Sequence, residues 1–201
     1  MRHGQTKANS EGRFQGCIDY PLSSRGEEEA LKAARRLSSW PIDHIYSSPL
    51  KRAFYTAEII ARDKSLQVKT LSTVKEFSWG VIEGLKWPEI EEKYPQLASR
   101  LINDLQHTHI PEQEPIEEFW ERIYRAIDFF SQKHLKDRIL VVSHGRFLNA
   151  FLVGFLNMNP RGSWPFRFSH GSLSLLELSQ QGRRSLRFFN DTCHLGKYLT
   201  I

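Results

Sequence analysis

Ile139-Leu140-Val141-Val142-Ser143-His144-Gly145 is a run of four branched aliphatic residues that passes into small and polar ones. It reads as a buried strand ending in a loop, and in an open α/β sheet the strand ends are where the chemistry is displayed. His144 therefore stands where a histidine can act. Its counterpart lies far away, in the opening Arg2-His3-Gly4-Gln5-Thr6.

Working outward, residues 7 to 22 are polar and glycine-containing and read as a loop able to fold over a site, with no regular element. Ser24 reads as a helix N-cap with Glu27, Glu28 and Glu29 in the first turn, where the helix dipole favours anions. Ala30, Leu31, Ala34 and Leu37 follow at helical spacing, which predicts a helix from Arg25 to Ser39. His44 to Ser47 reads as a short buried strand, and Ser48-Pro49 turns it into a helix from Leu50 to Ala61. Leu66 to Val68 reads as a strand leading to Glu76 and the turn from Gly80 to Gly84. Trp87 to Gln106 is a charged, partly helical segment, broken by Pro111 to Pro115. Ile116 to His134 carries Phe119, Ile123, Ile127 and Phe130 on one helical face, and Phe147 to Leu156 is apolar nearly all round, as in a buried helix. Alternation from Ser172 to Glu177, then Gln180-Gln181-Gly182 and Ser185 to Phe189, predicts a β-hairpin at the sheet edge.

The 201 residues fit one domain with a substantial core. Cys17 and Cys193 build no disulfide framework and no zinc motif, which predicts reduced thiols in a cytoplasmic protein. No window approaches the roughly 18 apolar residues of a membrane span, and no signal peptide is legible. The net charge of +5 is spread along the chain, with Lys51-Arg52 and Arg183-Arg184 as its densest clusters, so attraction for small phosphorylated anions accounts for it better than nucleic-acid binding does. His107-Thr108-His109 lacks a third ligand at a suitable spacing and reads as solvated loop, so no metal is expected. His170 and His194 read as structural. Oligomeric state is not legible.

Together, Arg2-His3-Gly4, Ser47-Ser48-Pro49-Leu50-Lys51-Arg52-Ala53, Glu76 ahead of Trp79-Gly80-Val81-Ile82-Glu83-Gly84, and Ser143-His144-Gly145 resemble the histidine phosphatase superfamily, in that family's order. The resemblance extends over nearly the whole chain and is nearer to the short bacterial-type phosphatases than to the phosphoglycerate mutases. It implies an α/β three-layer sandwich, α/β/α, with a mainly parallel sheet, helices on both faces and a small helical insertion. A single domain over 1–201 is expected, with a pocket-shaping insertion at 85–115.

The function implied is a metal-independent phosphomonoester hydrolase that needs no cofactor and acts on a small phosphorylated metabolite. A neutral imidazole can attack phosphorus without first losing a proton, and His3 is the nucleophile, forming a phosphohistidine that water hydrolyses. Arg2 and Arg52 are the matching family positions for a guanidinium cradle, whose forked donors fit phosphate oxygens in pairs. Their charge also lowers the pKa of His3. His144 donates to the transferring group. Asn9, Gln15, Gly16 and Gly145 fall at substrate-binding positions. Glu76 is the candidate acid, kept protonated near Phe77 and Trp79, with Glu83 as its competitor. Phe14, Trp79 and Trp87 either line a pocket for an apolar leaving group or belong to the core.

Two features depart from the pattern. Family members run an apolar strand into Arg-His-Gly, whereas here Met1 alone precedes Arg2. The expectation is a truncated or misassigned start, a missing central strand, and a nucleophile hanging from a free end. Pro111-Glu112-Gln113-Glu114-Pro115 replaces a glycine-rich loop of many relatives, which leaves substrate identity open. The alternatives are a phosphoglycerate-type mutase and a catalytically impaired module that binds a phosphorylated ligand.

Overall fold

The computed structural model describes residues 1–198 apart from Gln106 and Ser163. The expected ends of the charged segment at Gln106 and of the domain at Ile201 lie outside the described residues. In chain order the elements are α1 (Lys7–Ser10), α2 (Ser24–Leu37), β1 (His44–Ser47), α3 (Lys51–Arg62), β2 (Val68–Thr70), α4 (Trp87–Lys93), α5 (Pro95–Asn103), α6 (Ile116–Lys133), β3 (Ile139–Val142), α7 (Gly145–Phe155), β4 (Leu173–Leu178) and β5 (Arg184–Asp191).

β2, β1 and β3 form a parallel sheet in that order, with Ile45 opposite Val68 on one side and Leu140 on the other. Side chains alternate across the strands, and this alternation builds the layers. Ile45, Leu140 and Val142 pack with Ala33, Ala34 and Leu37 of α2 and Ala53, Ala57 and Ile60 of α3. Tyr46, Ile139 and Val141 face the other way, onto Phe119, Ile123 and Ile127 of α6 and Phe147 of α7. The expected α6 face is buried as read. α4 and α5 carry a small core of their own, with Ile82, Ile90, Leu97, Leu101 and Ile110. Among the described residues no helix is long and apolar enough to cross a membrane.

Three readings need correction. The polar loop from residue 7 contains one helical turn, α1, because Thr6 and Asn9 cap each other: each one's side chain accepts from the other's backbone N–H. α2 is capped by Ser23, whose hydroxyl accepts from Gly26 N–H at 3.1 Å, one residue earlier than expected. The hairpin β4–β5 is a separate antiparallel sheet, not an edge hydrogen-bonded to β2 or β3.

A fourth correction concerns the start. Met1 to His3 does not hang free but lies between the end of β3 and the residues leading into β4. Ser143 N–H donates to Met1 O at 3.0 Å and His3 N–H to Ser143 O at 3.0 Å, while Arg2 N–H donates to Ser172 O and Gly171 N–H to His3 O. These main-chain bonds extend the parallel sheet by one short bridge and leave His3 only 3% exposed. Just beyond, a Cβ on Gly4 would lie 2.3 Å from Gly26 O, so the first turn of α2 closes on the backbone that follows His3. Only a residue without a side chain allows that approach.

Candidate active site

The C-terminal ends of β1 and β3 and the Met1–His3 segment meet at one end of the sheet, and four side chains converge there. His3 Nδ1 lies 2.6 Å from Gly4 O, so it carries the ring proton and leaves the Nε2 lone pair free. The ring centroid of His144 is 5.0 Å from that of His3. His144 Nδ1 accepts from Arg52 Nε–H at 3.2 Å, which puts the His144 proton on Nε2. That atom is buried and has no hydrogen-bond partner among the described residues. A buried donor without an acceptor is costly, so it is suited to an incoming oxygen.

Arg52 is 1% exposed and hangs from the first turn of α3. Its Nη1 and Nη2 donate to Ile18 O at 2.8 Å and Gly16 O at 2.7 Å, which ties the loop before α2 to the end of β1. Arg2 donates through Nη1 to Phe168 O, and its Nε is buried without a partner among the described residues. Burial lowers the Arg2 pKa to about 10, with Arg52 adding to the shift and Glu76 opposing it.

Asn9, Gln15 and Gly16 line a cavity of about 180 Å³ with Arg2, His3, Arg52 and Glu76. The Thr6 hydroxyl lies 3.0 Å from Asn9 Oδ1 and 2.8 Å from Gln15 Oε1, so both amide oxygens face Thr6 and the two NH₂ groups are the ends available to a ligand. Gly145 is beside the Arg2 guanidinium but does not line the cavity.

Glu76 is held by the start of α7, where the helix leaves backbone donors unpaired. Its Oε1 accepts from Phe147 N–H at 2.9 Å and Phe77 N–H at 3.0 Å, and its Oε2 accepts from Arg146 N–H at 3.2 Å. Glu83, the competitor, does not line the cavity. Its Oε1 accepts from Cys17 N–H, Trp79 N–H and the Ser78 hydroxyl at 2.9, 2.9 and 3.0 Å. It is a strut between the two loops that form the cavity wall. Phe14 and Trp79 line the cavity, whereas Trp87 packs on the small core of α4 and α5.

His170, which reads as structural in sequence, is 5.8 Å from His3 between ring centroids, with Nε2 buried and unpartnered among the described residues. No local pattern announces it; the bond from Gly171 N–H to His3 O brings it in. Arg13 also lines the cavity, held by Glu11, Glu89 and Gly84 O. Arg146 lies 4.4 Å from the ring centroids of both Phe77 and Trp79 and 4.8 Å from that of Trp164, behind Glu76. His107 pairs with Asp104 at the surface. Among the described residues, the His and Asp side chains close enough to share an ion, His44, His134 and Asp137, lie at the opposite end of β1.

Burial drives the His3 pKa well below 6.5, followed in effect by His144 and then by Arg52 and Arg2. His144 shifts the same way through burial, Arg52 and Arg2, and burial takes His170 to about 2. A buried neutral histidine gains its proton first in the unfolded chain, so its stabilising effect is full above the unfolded pKa near 6.5 and declines as pH falls below it. For His170 that loss is about 1.4 kcal/mol per pH unit below 6.5, and His3 and His144 act in the same direction. Denaturant midpoints should fall as pH is lowered from 7 to 4, and His170→Gln should make that fall shallower. A profile flat to pH 4 would contradict the buried, neutral state of all three.

A neutral imidazole with a free lone pair, two guanidiniums and a neighbouring N–H donor can accept a tetrahedral oxyanion and attack its centre. The family model of the histidine phosphatase superfamily (branch 1) matches residues 1–192. Phosphoserine phosphatase 1 of Hydrogenobacter thermophilus is 31% identical, over 98% of this chain and 93% of that protein. A Salmonella arizonae protein named "Probable phosphoglycerate mutase GpmB" is 32% identical, over 90% of this chain and 84% of its own. The α-ribazole phosphatase of Shigella flexneri superposes with a TM-score of 0.87 at 29% identity, over 95% of this chain and 94% of that one.

Proposed function

The chain belongs to the histidine phosphatase superfamily (branch 1) and is a phosphoric monoester hydrolase, and from that we propose that it works without a metal, through a phosphohistidine on His3. The single observation that carries the mechanism is the free Nε2 of the buried His3, whose Nδ1 is bound to Gly4 O and which lines one cavity with Arg2 and Arg52. The His3 lone pair forms the N–P bond as the ester P–O bond breaks. Arg2, Arg52, His144 and the amide groups of Asn9 and Gln15 hold the equatorial oxygens through charge-assisted bonds.

Glu76 gives a proton to the leaving oxygen, then takes one from the water that attacks phosphorus and breaks the N–P bond. The products are the alcohol and inorganic phosphate. The two guanidiniums, with the three neutral donors, supply the charge neutralisation that a metal provides in other phosphatases. The cavity of about 180 Å³ is smaller than the roughly 300 Å³ at which drug-sized pockets begin, which favours a small phosphorylated metabolite. Two free cysteines, Cys17 and Cys193, support a cytoplasmic setting.

The test is phosphate release from p-nitrophenyl phosphate and phosphoserine in excess chelator, with rapid-quench trapping of labelled enzyme. Phosphate should appear at an undiminished rate, with an acid-labile, base-stable label on the protein. Turnover lost to the chelator and restored by a divalent cation would remove the metal-independent mechanism. The relative named as a mutase gives the second reading: there the label would pass from the enzyme to a phosphoglycerate instead of to water.

A further inference from the structure

We propose that His44, His134 and Asp137 form a binding site for a zinc-class divalent cation, at the end of the sheet opposite His3. His44 is the first residue of β1, His134 follows α6, and Asp137 lies in the turn before β3. His134 Nδ1 and His44 Nε2 lie 2.7 and 3.4 Å from the same atom, Asp137 Oδ2, and the three ligand atoms fall within 4.8 Å of one another. Ligands at about 2.0–2.2 Å around a tetrahedral zinc stand about 3.3 Å apart, so small side-chain movements bring all three onto one ion. Two imidazoles and one carboxylate are a donor set for zinc and cobalt rather than for calcium or magnesium, which take oxygen ligands.

The frame around the three is built from bonds that do not involve the ligand atoms. Asp43 N–H donates to Arg138 O and Arg138 N–H to Asp43 Oδ2, each at 2.8 Å, which locks the start of β1 against the turn that carries Asp137. Asp137 N–H donates to His134 O at 3.1 Å. The buried Tyr46 hydroxyl lies 2.7 Å from His134 Nε2, the outer partner that orients a metal-bound imidazole. Without the ion, Nδ1–H of His134 donates to Asp137 and Nε2 accepts from Tyr46. With it, that proton moves to Nε2 and donates to Tyr46, whose hydroxyl hydrogen turns away. The His134 side chain is 4% exposed, while those of His44 and Asp137 are 34% and 35% exposed, so the fourth position opens to water.

The site clips the end of α6 and the turn before β3 to β1, and it takes no part in phosphoryl transfer. Titration of the whole chain with Co²⁺, followed by visible absorption, and with Zn²⁺, followed by calorimetry, tests it. One saturating equivalent with tetrahedral cobalt bands is expected. His44→Gln and Asp137→Asn should each weaken binding by at least about tenfold, and Tyr46→Phe by about 10- to 100-fold. His3→Ala and the double variant His107→Gln/His109→Gln should bind as wild type does, which separates this site from the catalytic histidines and the surface pair. His44→Gln should keep full phosphatase activity, which also reports that it is folded. Equal affinity in wild type, His44→Gln and Asp137→Asn, or no saturable binding at all, would overturn the proposal.

Discussion

Replacing His3 by alanine is expected to lower kcat/KM for any phosphomonoester by at least about 10⁴-fold, the scale on which an enzyme loses its nucleophile. The reason is positional as well as chemical. His3 Nδ1 is bound to Gly4 O, its backbone is pinned by Ser143 and Gly171, and burial keeps the ring neutral, so Nε2 is the one lone pair presented to the cavity. His144 is no substitute, because its Nδ1 accepts from Arg52 and its Nε2 carries the proton. A fold defect would also abolish activity, so the variant must retain binding of vanadate or inorganic phosphate while losing the trapped phosphoenzyme. Turnover above about 1% of wild type, or a label still present on the variant, would move the nucleophile elsewhere.

Arg52→Lys is expected to cost about 10²- to 10³-fold in kcat although it keeps the charge, the range seen when one preorganised donor is removed from a reacting oxyanion. A lysine presents a point charge and cannot serve His144, Gly16 and Ile18 together. The His144 tautomer loses its anchor, and the buried Gly16 carbonyl and the part-buried Ile18 carbonyl lose charge-assisted bonds. Arg52→Ala should match or exceed that loss and also destabilise the fold, since each orphaned acceptor costs about 1–3 kcal/mol. A lysine variant within threefold of wild type would mean that Arg52 contributes charge alone. An alanine variant of unchanged stability would mean that its loop bonds carry no weight.

The elements were legible where one physical demand shaped several residues at once. α6 needed one apolar stripe, and Phe119, Ile123, Ile127 and Phe130 supplied it at helical spacing. β3 needed to be buried on both faces, and its four aliphatics supplied that. Boundaries were less legible, because the cap of α2 depends on which of two adjacent serines reaches Gly26 N–H, and both serines look alike in sequence. The support of the first residues was not legible at all. Main-chain hydrogen bonds to Ser143 and Ser172 need no particular side chain, so no residue pattern records them.

The sequence by itself determined the chemistry present and its order along the chain: a histidine in the opening Arg-His-Gly, a second after a strand-like segment, an arginine after Ser-Ser-Pro, and a carboxylate before a glycine turn. Those residue types are constrained because only imidazole and guanidinium do the work described. Tertiary structure alone decided which groups meet. His170 joins His3, Glu83 spans Cys17 and Trp79 while Glu76 takes the start of α7, and His44 meets His134 and Asp137 across about 90 residues. Such meetings are set by packing between elements distant in sequence, and packing leaves no local spacing for a reader of the sequence to find.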